Sequence, residues 1–69
     1  MIRSNLSLYM GRDKLKMVDV AEKIGVHRNT ISLLYKEEAK RIDLETLEKL
    51  CELFNCEVGD MLYIQKEQD

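Results

Sequence analysis

Sixty-nine residues leave room for one hydrophobic core and no second one, and a 45% hydrophobic content suffices for a compact helical fold without metal or disulfide staples. No apolar run reaches signal-peptide or bilayer-spanning length, and no alternating Val/Thr/aromatic runs bounded by turn residues suggest a β protein, so a cytoplasmic all-helical chain is expected. The net charge of −2 argues against a protein whose whole surface binds a polyanion, yet it conceals a split: residues 1–41 hold nine Lys or Arg against five acids, net +4, and residues 42–69 hold two against eight, net −6.

In chain order, Ile2, Leu6, Tyr9 and Met10 recur at helical spacing, and Gly11 with the charged Arg12-Asp13-Lys14 marks an end, which predicts a helix near residues 2–12. Met17, Val20, Ala21 and Ile24 then share one side of a second helix near 17–24, closed by Gly25, which tolerates the left-handed conformation. Val26 and Ile31 stand at hydrophobic-staple spacing around an N-cap at His27, and open a third helix near 28–35. At 100° per residue, Thr30, Ile31 and Leu34 fall on one arc of this helix; Arg28, Asn29, Ser32, Leu33 and Lys36 fall on the opposite one.

Residues 37–41 are polar and read as a loop. Asp43 supplies an N-cap and Ile42 with Leu47 a staple for a fourth helix near 44–54, whose core stripe is Leu44, Leu47, Leu50, Cys51 and Phe54. Asn55 suits a left-handed C-cap, and Val58, Met61 and Leu62 suggest a short fifth helix near 58–63 beneath the bundle. One domain is thus expected over residues 1–64, with Gln65 to Asp69 a frayed polar tail and no strand central to the architecture.

Cys51 and Cys56, with a single histidine in the chain, are too few ligands for a tetrahedral metal site, and the thiols are expected to be reduced and structural. No nucleophile, base and orienting group can be nominated, so neither catalysis nor a cofactor is expected, and no room is left for a small-molecule ligand domain. Two short helices joined by a tight glycine turn, the second with a polar outer face, describe a helix-turn-helix. Ala21, Gly25, Val26, Ile31 and Leu34 supply the small contact, the turn, the plug and the seal, all in register within fourteen residues.

On Leu15, Val20-Ala21, Ile24-Gly25-Val26, Asn29-Thr30-Ile31-Ser32 and Leu44-Glu45-Thr46-Leu47, the sequence resembles the Cro/repressor-type helix-turn-helix proteins, the xenobiotic-response-element family, and particularly their short stand-alone members. The resemblance runs from Ile2 to Leu62. It implies a five-helix, lambda-repressor-like fold, double-stranded DNA as partner, transcriptional regulation in bacteria or phages, and binding as a homodimer to a partly palindromic site. Carried over position by position, it places base reading on Arg28, Asn29, Ser32 and Leu33 and backbone clamping near Lys16, Met17, His27, Thr30 and Lys40, with Lys36 and Arg41 as further phosphate contacts. Arg pairs with both acceptors of guanine, Asn with adenine, Ser with several base edges, and Leu33 suits a thymine methyl.

Three departures from the family pattern stand out. Lys16 and Met17 replace the usual Ser-Gln at the start of the second helix, and His27 replaces a Ser or Thr cap. Met10 and Tyr35 occupy positions where several members pair an Arg with a Glu, so an apolar contact between them is expected instead. The alternative function on the same fold is a protein-interaction module, such as an antitoxin or accessory subunit, suggested by the net acidity and by apolar Leu8, Met17, Val18 and Leu33.

Overall fold

A computed structural model describes residues 1–66 of the chain. Five helices, α1 (Leu6–Asp13), α2 (Met17–Ile24), α3 (Arg28–Tyr35), α4 (Leu44–Phe54) and α5 (Val58–Met61), surround one core, and two three-residue strands, β1 (Ile2–Ser4) and β2 (Leu62–Ile64), pair antiparallel at the termini. Leu6, Met10, Val20, Ala21, Ile24, Ile31, Leu34, Leu47, Leu50, Cys51, Phe54 and Met61 are buried together, and among the helices α2 and α3 share the most extensive contact.

The ribbon corrects the expectation at both ends of the chain. The first helix starts at Leu6, not near Ile2, because the Asn5 N–H donates to the Met61 carbonyl (2.8 Å), the Asn5 side-chain amide donates to the Asp60 carbonyl (2.8 Å), and the Ser4 hydroxyl accepts the Leu6 N–H (3.0 Å). With Asn5 committed across the fold, Ile2 to Ser4 satisfy their backbone by pairing with Leu62 to Ile64. Ile2, whose spacing from Leu6 imitated a helical face, is 68% exposed. At the other end the fifth helix stops at Met61, and Tyr63 and Ile64, both good strand formers, extend into β2. Gln65 continues the pairing through its N–H to the Met1 carbonyl (2.8 Å), so the expected frayed tail does not begin there; residues 67–69 of that tail lie outside the described residues.

One device ends all four longer helices. In each, a left-handed residue follows the last turn, and the N–H of the next residue returns to a carbonyl five positions back: Leu15 to Met10 (2.9 Å), Val26 to Ala21 (3.1 Å), Glu38 to Leu33 (2.9 Å) and Cys56 to Cys51 (2.9 Å). This is the Schellman arrangement, which satisfies terminal carbonyls and brings the two side chains at those positions together. The left-handed residues are Lys14 (φ 56°), Gly25 (φ 72°), Glu37 (φ 60°) and Asn55 (φ 53°). Gly25 and Asn55 match the expectation; Lys14 and Glu37 hold a conformation that a side chain resists.

Helix starts explain two further corrections. Leu44, expected in the core stripe of α4, and Val58, expected to help seat the fifth helix beneath the bundle, are 81% and 51% exposed. Each is the first residue of its helix, and side chains there tilt back toward the helix N-terminus, over the preceding loop and away from the packed turns. Thr46 fills the place beside Leu47 instead, its own N–H capped by the Asp43 carboxylate at 2.9 Å. In the 37–41 loop, Ala39 packs against the core, as does Ile42 after it.

Candidate nucleic-acid interface

The turn between α2 and α3 is closed by backbone bonds from Gly25 and Val26 to the same Ala21 carbonyl, at 2.9 and 3.1 Å. An ideal Cβ built on Gly25 meets nothing within 4 Å, so the glycine is required there by its positive φ and not by crowding. Val26 packs half-buried on the core that holds Ile31 and Leu34, and this seals α3 against α2. His27 does cap α3: its Nδ1 accepts the Asn29 N–H at 3.0 Å, which makes Nδ1 an acceptor in this tautomer. At the start of α2, where Lys16 has no acceptor to offer, the bond runs the other way, and the Asp19 carboxylate accepts the Lys16 N–H at 2.9 Å.

These caps leave one face of α3 free. Arg28, Asn29 and Leu33 are exposed and Ser32 is half-buried, while Ile31 and Leu34 are buried opposite them. Among the described residues, no hydrogen bond engages the side chain of Arg28, Asn29 or Ser32. Around this face, His27, Lys36, Lys40 and Arg41 are exposed, and Thr30, Leu33 and Arg41 border one shallow groove between α3 and the loop leading to α4. Lys16 is exposed at the start of α2. Met17 packs half-buried on the core and is the first residue of α2, where a backbone N–H has no partner within the helix.

The ion pairs sort the basic residues into two groups. Among the described residues they are Arg3–Glu37 (2.7 Å), Arg12–Asp13 (2.8 Å) and Lys49–Glu45 (3.2 Å), so Lys16, Arg28, Lys36, Lys40 and Arg41 take part in none. Arg12 is structural: it donates to the Phe54 carbonyl at the end of α4 (3.0 Å) and lies 4.8 Å from the centroid of the Tyr9 ring. These five unpaired cations lie in and around the helix-turn-helix.

The Arg3–Glu37 pair escaped sequence reading. Arg3 donates twice to Glu37, Nε to Oε1 at 2.7 Å and Nη2 to Oε2 at 2.8 Å, and the Ser4 N–H adds a third bond to Oε1 at 2.9 Å. Those donors pull the Glu37 carboxyl down to about 2, the Arg3 side chain foremost and the Ser4 amide next. The latch ties β1 to the residue that ends α3. At the two positions where an apolar contact is expected, Met10 is buried in α1 and Tyr35 is half-exposed at the end of α3. Both charges are visible in the sequence, but the helical spacing extends the first helix back over Arg3, which lies in β1 instead.

Three comparisons with known proteins bear on this geometry. Residues 5–67 match the Cro/C1-type HTH DNA-binding domain. The chain is 29% identical over 65 residues to YozG of Bacillus subtilis strain 168, described as an uncharacterized HTH-type transcriptional regulator, with 94% of this chain and 77% of that one aligned. A crystal structure of a candidate DNA-binding protein from Bacteroides fragilis superposes with a TM-score of 0.78 at 22% identity, covering 91% of this chain and all of that one, which supports the fold. With its turn, caps and free α3 face in register with that match, the chain belongs to the Cro/C1-type helix-turn-helix DNA-binding domain family.

Proposed function

We propose that the protein is a sequence-specific transcriptional regulator that lays the outer face of α3 in the major groove of double-stranded DNA, with a repressor-like mode of action. The observation that carries this reading is the uncommitted side-chain set on that face, Arg28, Asn29 and Ser32 with exposed Leu33, flanked by cations that form no ion pair among the described residues. Arg28 is the first residue of α3, so a helix entering the groove by its N-terminal end presents the guanidinium to guanine O6 and N7 and the Asn29 amide to adenine. Lys16, His27, Thr30, Lys36, Lys40, Arg41 and the amide of Met17 fix the register on the phosphates. The acidic residues 42–69 favour approach with the basic part of the molecule leading.

An eight-residue helix reads only a few base pairs. Two copies related by a twofold axis read two half-sites about 34–36 Å apart, and we include such a homodimer in the proposal. The groups used are donors, charges and one apolar side chain, so the function is binding and not catalysis, and its place is the cytoplasm, where bacterial or phage DNA is.

The test is a salt titration of the wild-type protein on duplexes selected from random sequence and on unselected duplex, beside Lys16→Ala and Lys40→Ala. We expect tight binding to the selected site, weaker binding to any duplex, and for each lysine variant a uniform loss on all sequences with a salt slope shallower by about one unit. No binding to any duplex at low salt would refute the reading and leave the protein-interaction module as the function of this fold.

A further inference from the structure

The Schellman closures bring together the side chains at paired positions, and in α1 and α2 the pairs are ordinary apolar ones, Leu15 with Met10 and Val26 with Ala21. At the end of α4 the same two positions are Cys56 and Cys51. Both are free cysteines, Cys51 buried and Cys56 half-buried. The 2.9 Å bond from the Cys56 N–H to the Cys51 carbonyl holds their Cα atoms no more than about 6.8 Å apart, within the span of a disulfide. Both side chains pack at the edge of the same core, Cys51 within it and Cys56 against it. No role in DNA reading draws on either cysteine, and a hydrophobic contact at this cap would be served as well by valine or alanine.

We propose that Cys51 and Cys56 form a redox-active dithiol, a modification site that closes to an intramolecular disulfide by exchange with low-molecular-weight disulfides of the glutathione class. Cys56, the accessible member, attacks first: its thiolate forms a bond to one sulfur of the small disulfide and expels the other half as a thiolate, leaving a mixed disulfide. Cys51, held at the paired position of the same cap, attacks the Cys56 sulfur and expels the second small thiol. Two protein thiols are oxidised, one small disulfide is reduced to two thiols, and the two protons pass to those leaving groups. Burial pushes the Cys51 thiol up, with the neighbouring Cys56 adding to the effect, which makes Cys51 the slower, resolving partner. In a reducing compartment the bridge is a transient state formed under oxidant load. It would staple the last turn of α4 to the segment that leads into α5 and β2.

The experiment equilibrates the full-length protein with graded ratios of oxidised to reduced glutathione, quenches with acid, alkylates, and reads the intact mass, both under native conditions and in urea. The expected native product is a monomer lighter by two hydrogens that takes up no alkylating agent. Cys51→Ser should stop at one glutathione on Cys56, and Cys56→Ser should stay unmodified while folded. Because the native cap holds the thiols together, the equilibrium constant for closing the bridge should be at least ~10-fold larger in the folded chain than in urea. A wild type that accumulates the mixed disulfide, forms only intermolecular dimers, remains a dithiol throughout, or closes no more readily folded than unfolded would overturn the proposal. The folded-against-unfolded comparison uses wild type alone and stands even if a serine variant fails to fold.

Discussion

The helix-turn-helix and the terminal ribbon are built from opposite kinds of information. Between Lys16 and Tyr35 every decisive bond spans five residues or fewer: Asp19 to Lys16, Gly25 and Val26 to Ala21, His27 to Asn29. The ribbon instead joins residues about sixty positions apart, Ile2 to Ile64 and Asn5 to Met61, and rests on Arg3 reaching Glu37. A segment specified locally keeps its form wherever it is placed, as a reading element pressed into a groove must. A segment specified at long range takes its form only when the rest has folded.

The largest test of that contrast sets a buried anchor of the local unit against the ribbon's most conspicuous apolar residue. Ile31 is fully buried and Ile64 is 70% exposed. Ile31→Ala should cost about 2–5 kcal/mol, enough to threaten folding of so small a chain, whereas Ile64→Ala should stay within about 0.5 kcal/mol. Urea unfolding of both variants measures this, and comparable losses would show that the ribbon carries more of the core than its exposure indicates.

The helix ends come next in size. Gly25→Ala places a side chain at φ 72° with free space around it, so its cost is that of the backbone alone, about 1–2 kcal/mol. Lys14→Gly runs the opposite way and should stabilise by up to about 1 kcal/mol, since a left-handed non-glycine residue is relieved there. Thermal unfolding of the two variants should therefore move the midpoint in opposite directions; a shift of the same sign in both would contradict the capping account.

The smallest expected effect is the pH dependence of the latch. Glu37 is held near 2 when folded, below its ordinary value of 4.5, so the Arg3–Glu37 contact stabilises the protein above about pH 4.5 and that contribution is lost as pH falls toward 2. The pair is partly exposed, which keeps the effect modest. Asp13 and Asp43 are also held low, Asp13 chiefly by the Arg12 side chain and Asp43 by Thr46, and contribute in the same direction. Glu37→Gln should flatten the acid limb of the stability profile without removing it, while an unchanged profile would mean that the latch contributes nothing in solution.

How much could be read in advance follows the same division. The bounds of α2, α3 and α4 were legible because caps and apolar period agree: Gly25, His27, Asp43 and Asn55 each terminate a stripe that the period already defines. Of the candidate interface, the exposed Arg28, Asn29 and Leu33 face was legible from the same period, because burial of Ile31 and Leu34 fixes the opposite arc. The ribbon was not. Ile2 matches the helical period of Leu6 and Tyr9 by coincidence, and only the partners contributed by Asp60 and Met61 decide that the helix begins at Leu6. Leu44 and Val58 misled for a different reason, since periodicity gives the face of a helix but not where the neighbouring elements end. Lys14 and Glu37 lie in left-handed turns with no glycine to announce them.

The central claim, that the free face of α3 reads DNA bases, is tested most directly at Arg28. Binding of wild type and Arg28→Ala should be compared on the selected duplex and on a panel in which each base pair is changed in turn. The account predicts that Arg28→Ala weakens the selected site by about 1–3 kcal/mol and becomes indifferent to the identity of one base pair per half-site, while its affinity for unselected duplex falls far less. If Arg28→Ala keeps both the affinity and the full base preference of the wild type, α3 is not the reading element proposed here.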